Sequence, residues 1–184
     1  NFGSTQGTLG QALPGDSNFC AKIENLPSPD ELTDCTDIVV AVGTNDLKSN
    51  GADPTELAVR FYEKIKVYRN SLPNTRIYVN GVLPTTNTEI NSRVKQFNKH
   101  LIDICNSRKL LTYLDTKVFS DPSGGLLQKF RVDDSDELHV NQDGTKLLAS
   151  RMKFALRGGI GLPNGRIIRH GQSRSRANFG GRGR

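Results

Sequence analysis

The fold is decided by the stretch Ile38-Val39-Val40-Ala41-Val42-Gly43-Thr44-Asn45-Asp46. Its first five residues are apolar without alternation and four of them are β-branched, which is typical of a parallel strand buried on both faces. Gly43 and the polar residues after it end the strand. Because functional groups in parallel sheets gather beyond the carboxyl ends of the strands, we expect Asn45 to lie at the functional edge of the molecule.

Strand and helix patterns alternate along the rest of the chain. Amphipathic helix patterns cover residues 53–72, 88–104 and 141–157, and strand patterns cover 76–80 and 111–114. The segment between the last strand and the last helix, 115–136, has little periodicity and predicts a long irregular loop. Alternation of this kind predicts an α/β protein, with helices on both faces of a parallel sheet in a three-layer α/β/α sandwich.

The 184 residues suit one compact domain followed by a tail. We place the domain at 1–157 and the tail at 158–184, because the tail has no acidic residue and 8 of its 27 residues are Gly, a composition that predicts disorder. No apolar run approaches the roughly 18 residues that span a bilayer, so no membrane contact is expected. The three cysteines lack metal-ligand spacing and predict reduced thiols, which favours an intracellular over a secreted setting.

The net charge of +6 comes entirely from the tail. Six of the 25 Lys and Arg residues lie beyond residue 157, and the other 19 equal the 19 Asp and Glu residues in number. A neutral domain with a cationic appendage indicates that the appendage contacts polyanions. The residues that we expect to bind RNA or DNA phosphates are Arg174, Arg176, Arg182 and Arg184. A linker without a binding role is the alternative interpretation.

Two polar clusters hold residue types suited to catalysis. Asp136 precedes His139 by three residues, so its carboxylate can accept from one imidazole nitrogen while the other nitrogen faces a nucleophile. The side-chain amide of Asn45 can donate to a developing oxyanion. Each cluster alone also has a purely structural interpretation, since Asp and Asn are common turn residues.

In combination, Gly43-Thr44-Asn45-Asp46 and the DELHxNxxG stretch 136–144 resemble the motifs of the SGNH, or GDSL, hydrolase family. The resemblance covers about residues 1–157. It implies the flavodoxin-like form of the α/β/α sandwich and an esterase that acts on a small ester through Ser, His and Asp with an Asn/Gly oxyanion hole. No nucleotide-binding glycine motif is present, and the chemistry implied by the resemblance needs no cofactor.

The resemblance also implies roles for individual residues. His139 is the general base, Asp136 is its orienting partner and Asn45 is the oxyanion donor. A glycine of an earlier loop supplies a second oxyanion donor in the family, and residues 1–8 resemble that loop. Gly7 is the first choice for this donor and Gly3 the second. In the implied mechanism a serine attacks the ester carbonyl, the histidine takes its proton, and water later frees the acyl group.

The nucleophilic serine is not evident in this sequence. In the family it lies in a GDS block after the first strand, upstream of the oxyanion glycine. Gly15-Asp16-Ser17 spells that triplet, but Pro14 argues against a buried strand before it, and Ser17 follows the expected glycine loop. We therefore expect amino-terminal truncation, with the serine upstream of Asn1. The alternative is a non-catalytic SGNH-like module in a nucleic-acid-binding protein of the kind that animal retroelements encode.

Overall fold

A computed structural model describes residues 22–158, together with the backbone of residues 160–161 and 167–168. Its main sheet has three strands, β1 (Asp37–Val40), β2 (Arg76–Asn80) and β3 (Leu111–Leu114), in the order β1-β2-β3. Both neighbouring pairs are parallel, and the register aligns Ile38 with Ile77 and Ile77 with Leu111. The prediction of a parallel sheet is confirmed.

Within the described residues, four α-helices connect and follow these strands: α1 (Thr44–Leu47), α2 (Pro54–Ser71), α3 (Thr88–Asn106) and α4 (Gln142–Leu156). Each long helix begins after a side chain that accepts a hydrogen bond from a backbone N–H of the first turn. Asp53 accepts from Thr55 at 2.8 Å and Asn87 from Ile90 at 3.0 Å. These caps satisfy N–H groups that the helix itself leaves unpaired, and each contributes about 1 kcal/mol.

The two faces of the sheet are covered by different helices, so the molecule has three layers. Alternate strand residues point to opposite faces. On one face Ile38, Ile77 and Val79 pack in the main core, whose helical members include Phe61, Ile65, Val94, Phe97 and Leu101 of α2 and α3. On the other face Tyr78 and Leu114 pack with Met152, Ala155 and Leu156 of α4. The chain therefore has the expected α/β/α sandwich.

Two local features differ from the sequence expectations. The strand predicted at 38–42 ends at Val40, and Asn45 lies in the short helix α1, an element that the sequence patterns do not predict. The 115–136 segment contains two short 3-10 helices, Lys117–Phe119 and Gln128–Phe130. A third core cluster of Phe119, Leu126 and Phe130 anchors this segment, so burial fixes a conformation that shows no sequence period.

Several predicted features lie outside the described residues. These include Gly3, Gly7, Ser17 and the arginines from Arg174 onward. Within the predicted tail, the backbone of β4 (Ile160–Gly161) pairs antiparallel with β5 (Ile167–Ile168). The boundary between domain and tail at residue 157 stays a prediction. Among the described helices, none is long and apolar enough to cross a membrane.

Candidate active site

Asp136 and His139 form a hydrogen-bonded pair in the loop before α4. The imidazole Nδ1 lies 2.9 Å from Oδ2 of Asp136 and 3.1 Å from Oδ1. The carboxylate also accepts the backbone N–H groups of His139 at 2.9 Å and Leu138 at 3.0 Å. These hydrogen bonds hold the pKa of the Asp136 carboxyl below its ordinary value. An ionised Asp136 thus fixes the orientation of the ring.

The other imidazole nitrogen, Nε2, has no hydrogen-bond partner among residues 22–158. The His139 side chain is 77% exposed, whereas that of Asp136 is 26% exposed. Within residues 22–158, no serine or other side chain makes a hydrogen bond to His139 apart from Asp136. The pair therefore has the geometry of an oriented base whose second nitrogen is not engaged by the described part of the chain.

The loop that holds this pair is fixed from both sides. Asp133 accepts from the Ser135 hydroxyl at 2.6 Å and from the N–H of Asp136 at 3.0 Å, which closes a turn before the pair. Glu137 accepts from the N–H of Thr86 at 3.2 Å and from the Asn87 amide at 3.0 Å. The second set of bonds ties the loop to the segment that follows β2, at the carboxyl edge of the sheet.

The last two defined positions of the DELHxNxxG stretch, Asn141 and Gly144, have structural roles. The Asn141 side chain caps α4 by accepting from the N–H groups of Asp143 and Gly144 at 3.1 Å each. Its amide also donates to the carbonyls of Lys129 and Arg131 at 2.8 and 3.0 Å. A Cβ on Gly144 would lie 2.7 Å from Cβ of Val140, so only glycine fits there. These residues hold the helix start against the loop.

Asn45 lies in the short helix α1, whose N-cap residue, Gly43, comes three residues after the last residue of β1. Its backbone carbonyl accepts from the Ser49 hydroxyl at 3.4 Å. The side-chain amide is half-buried and makes no hydrogen bond to another of the residues 22–158. An amide that is positioned by the backbone and not engaged elsewhere is suited to donate to an oxyanion.

Arg93 fastens this turn to α3, a role that the sequence reasoning missed. Its guanidinium donates to the Ser49 carbonyl at 2.8 Å and pairs with Glu89 at 2.9 Å. The side chain is only 13% exposed. The link joins residues 44 positions apart in the sequence, and no local pattern around Arg93 predicts it.

Asp46 is a second residue that supports the site in a way the Gly43-Thr44-Asn45-Asp46 motif does not predict. It is buried, and its carboxylate accepts the N–H of Ile23 at 3.3 Å. Burial raises the pKa of the Asp46 carboxyl, and the nearby charge of Glu24 raises it further. This residue joins the turn to the segment before β1 and does not face outward as an acid or base.

The segment 81–87 after β2 lies between the two halves of the candidate site. At one end it approaches Gly43, where a Cβ would lie 3.0 Å from Cγ2 of Val82. At the other end Thr86 bonds to Glu137. The turn with Asn45 and the loop with His139 are therefore neighbours of one segment at one edge of the sheet. Among the described residues, no group of His, Cys, Asp and Glu side chains is arranged to hold a metal ion.

The comparison that decides the family is made at the level of sequence. A family model described as GDSL-like Lipase/Acylhydrolase matches residues 24–152, which is more than half of the chain. The chain belongs to this family. The match includes both the Asn45 turn and the Asp136 loop, so the resemblance inferred from the motifs is confirmed.

Solved structures share the fold of this GDSL-like domain at low identity. An acetyl esterase variant with an acetate ion is 15% identical with a TM-score of 0.55, and covers 67% of this chain and 57% of its own. A carbohydrate esterase family 3 structure from Talaromyces cellulolyticus is 15% identical with a TM-score of 0.53, and covers 67% and 57%. The OSK domain of Drosophila Oskar is 16% identical with a TM-score of 0.57, and covers 73% and 70%.

The GDSL-like chain spans less than two thirds of the length of the two esterase chains. A search of curated proteins by sequence finds no significant match. The structural likeness establishes the fold, and the family match adds the lipase/acylhydrolase class.

Proposed function

We propose that this domain hydrolyses small esters by acyl transfer to a serine. The observation that carries the proposal is the Asp136–His139 pair at 2.9 Å, held beside the segment that also contacts the Asn45 turn. The family class supports ester substrates.

Each residue has a defined task in the proposed reaction. His139 Nε2 takes the proton of the attacking hydroxyl, while Asp136 holds Nδ1 and stabilises the imidazolium that forms. The Asn45 amide donates to the oxyanion of the tetrahedral intermediate, and the N–H of Gly7 is proposed as the second donor. His139 gives this proton to the alcohol that leaves when the tetrahedral intermediate collapses to the acyl-serine. Water then attacks the acyl-serine while His139 takes a proton from it, and His139 passes that proton to the serine oxygen as the carboxylic acid is released.

The serine itself is proposed to lie upstream of Asn1. The test compares the chain with a version extended at its amino end, using short-chain p-nitrophenyl esters as substrates. We expect hydrolysis by the extended version and its loss in His139→Ala. His100→Ala is the matched control, because His100 lies on α3 away from the Asp136 loop and should leave the rate unchanged. Equal rates in His139→Ala and the parent would contradict the proposal.

A second, compatible function is proposed for the tail, whose arginines supply the whole charge excess. We infer that Arg174, Arg176, Arg182 and Arg184 bind RNA or DNA phosphates without sequence preference. The proposal extends to the origin of the chain, which we place in a nucleic-acid-binding protein of the kind that animal retroelements encode.

Salt dependence of binding to a single-stranded RNA tests the tail. Replacing the four arginines by Gln should weaken binding and flatten the plot of log Kd against log salt concentration by about 0.7 for each lost phosphate contact. The control replaces Lys64, Lys66, Lys109 and Lys153 by Gln, which removes the same charge from the domain. Equal weakening by both sets of substitutions would argue against binding by the tail.

A further inference from the structure

A separate cavity lies between α3, the end of β3 and the segment that follows it. Its volume is about 310 Å³, at the lower end of the range for small-molecule pockets. Its apolar wall is formed by Val82, Pro84, Val94, Ile102 and Tyr113. Neither Asn45 nor the Asp136–His139 pair lines it, so it is distinct from the candidate active site.

Three uncharged polar side chains of the wall are hydrogen-bonded to backbone groups, which fixes the shape of the wall. Asn98 accepts from the Val82 N–H and donates to the Val82 carbonyl, both at 2.8 Å. Asn91 donates to the Gly124 carbonyl at 2.7 Å, and the Thr116 hydroxyl donates to the Val82 carbonyl at 3.2 Å. The cavity is thus formed before any ligand enters, which reduces the entropy cost of binding.

The charged side chains of the cavity are mostly basic. Lys95, Lys99 and Lys117 line it, and Asp115 is the one acid among the described residues of the lining. Lys95 donates to the Ser123 carbonyl at 3.1 Å. Lys99 and Lys117 form no hydrogen bond or ion pair through their ammonium groups with another residue of 22–158. Since the predicted domain is neutral as a whole, this is a local excess of positive charge.

We propose that this cavity binds a small soluble phosphate monoester that carries a short apolar group. The apolar group packs on Val94 and Ile102, and the phosphate sits between the ammonium groups of Lys99 and Lys117. A phosphate monoester carries about −1.5 to −2 charge at neutral pH and three acceptor oxygens. It therefore matches two unpaired ammonium groups better than a carboxylate does. This binding is independent of ester hydrolysis.

Titration calorimetry of the whole chain with hexyl phosphate tests the proposal. We expect saturable binding of hexyl phosphate. Hexanol and inorganic phosphate should bind more weakly by about tenfold or more, because hexanol lacks the phosphate and inorganic phosphate lacks the alkyl chain. Lys99→Gln with Lys117→Gln should weaken hexyl phosphate binding by about tenfold or more. Lys109→Gln with Lys153→Gln removes the same charge outside the cavity and should change it by less than about twofold.

Several outcomes would overturn the proposal: no binding by the parent chain, equal weakening by both lysine pairs, or capture by vesicles containing phosphatidic acid without binding of hexyl phosphate. The last result would assign the lysines to a lipid surface. Because the two lysines lie outside the candidate active site, their replacement should leave ester hydrolysis unchanged. A failure here is therefore distinguishable from a failure of the proposed hydrolase function.

Discussion

At the scale of single residues, the backbone conformation of Gly43 positions Asn45 in the candidate site. Its φ of 114° lies in the left-handed region that favours glycine. A Cβ there would also lie 2.8 Å from Cε1 of Phe97, inside normal contact distance. Both restrictions exclude other residues, and the resulting sharp turn starts α1 at Thr44, with three residues between it and Val40, the last residue of β1. Asn45 consequently sits at the carboxyl edge of β1.

Asn45→Ala should lower kcat for ester hydrolysis by about a hundredfold or more with little change in KM, because an oxyanion donor acts mainly in the transition state. The measurement is steady-state hydrolysis of p-nitrophenyl butyrate by the amino-extended chain. Asn50→Ala, an exposed neighbour, serves as the control and should keep the parent rate. A loss of similar size in both variants would point to damage to the turn and not to a lost donor.

Asp136→Asn should lower kcat by about a thousandfold or more. The amide oxygen can still accept backbone N–H groups, but it lacks the charge that stabilises an imidazolium at His139. Asp134→Asn is the matched control, since Asp134 is exposed in the same loop. Stopped assays and circular dichroism on both variants separate chemistry from folding. A folded Asp136→Asn variant that keeps more than about a tenth of the parent rate would refute the assigned role.

At the scale of elements, α4 depends on its first residues more than a surface helix normally does. Asn141 both caps the helix and donates to two carbonyls of the preceding segment. Asn141→Ala should therefore reduce the free energy of unfolding by about 2 kcal/mol or more. Urea denaturation measures this, with Gln142→Ala as a control expected within about 0.5 kcal/mol of the parent. Equal midpoints for the two variants would show that the cap is dispensable.

How well an element could be predicted depends on whether local or distant contacts define it. The periods and turn residues of α3 and β3 are local, and the structure has them at Thr88–Asn106 and Leu111–Leu114, close to the sequence expectation. β1 ends where its pairing with β2 ends, at Val40 opposite Val79, and this long-range limit is not visible in the apolar run, so the predicted strand extends two residues too far. Similarly, Phe119 anchors its segment through contacts that no window of sequence contains.

The same distinction holds for the candidate site. Asp136 and His139 interact over three residues, and a spacing pattern is enough to propose their pairing. The Arg93–Ser49 link and the bond between Glu137 and Thr86 join residues about 40 to 50 positions apart. The lysine-lined cavity likewise combines α3 with the end of β3. Such contacts follow from the packing of elements and leave no spacing signal.

At the scale of the whole molecule, the carboxylates predict how stability depends on pH. Hydrogen bonds lower the pKa of Glu24, Asp121, Asp133 and Asp136. A lowered pKa adds stability above the unfolded value of about 4, and this stability is lost as pH falls through the folded value. Asp46 acts in the opposite sense: its raised pKa means that stability is lost as pH rises from the unfolded toward the folded value.

Asp46→Asn should therefore make the chain more stable than the parent at pH 7, with the difference disappearing near about pH 3, where Asp46 is protonated in both states. Both proteins should lose stability below about pH 4, because the lowered carboxylates become protonated. Chemical denaturation across this range provides the measurement. A variant that is less stable than the parent by the same amount at both pH values would contradict the assigned burial effect.

Covalent labelling tests most directly whether the whole molecule is a serine hydrolase. The amino-extended protein is treated with a fluorophosphonate, and the modified residue is located by peptide mass spectrometry. We predict a single labelled serine upstream of Asn1, with labelling lost in His139→Ala and retained in His100→Ala. Labelling that persists at the same rate in His139→Ala, or its absence from the folded, extended protein, would contradict acyl transfer driven by the Asp136–His139 pair.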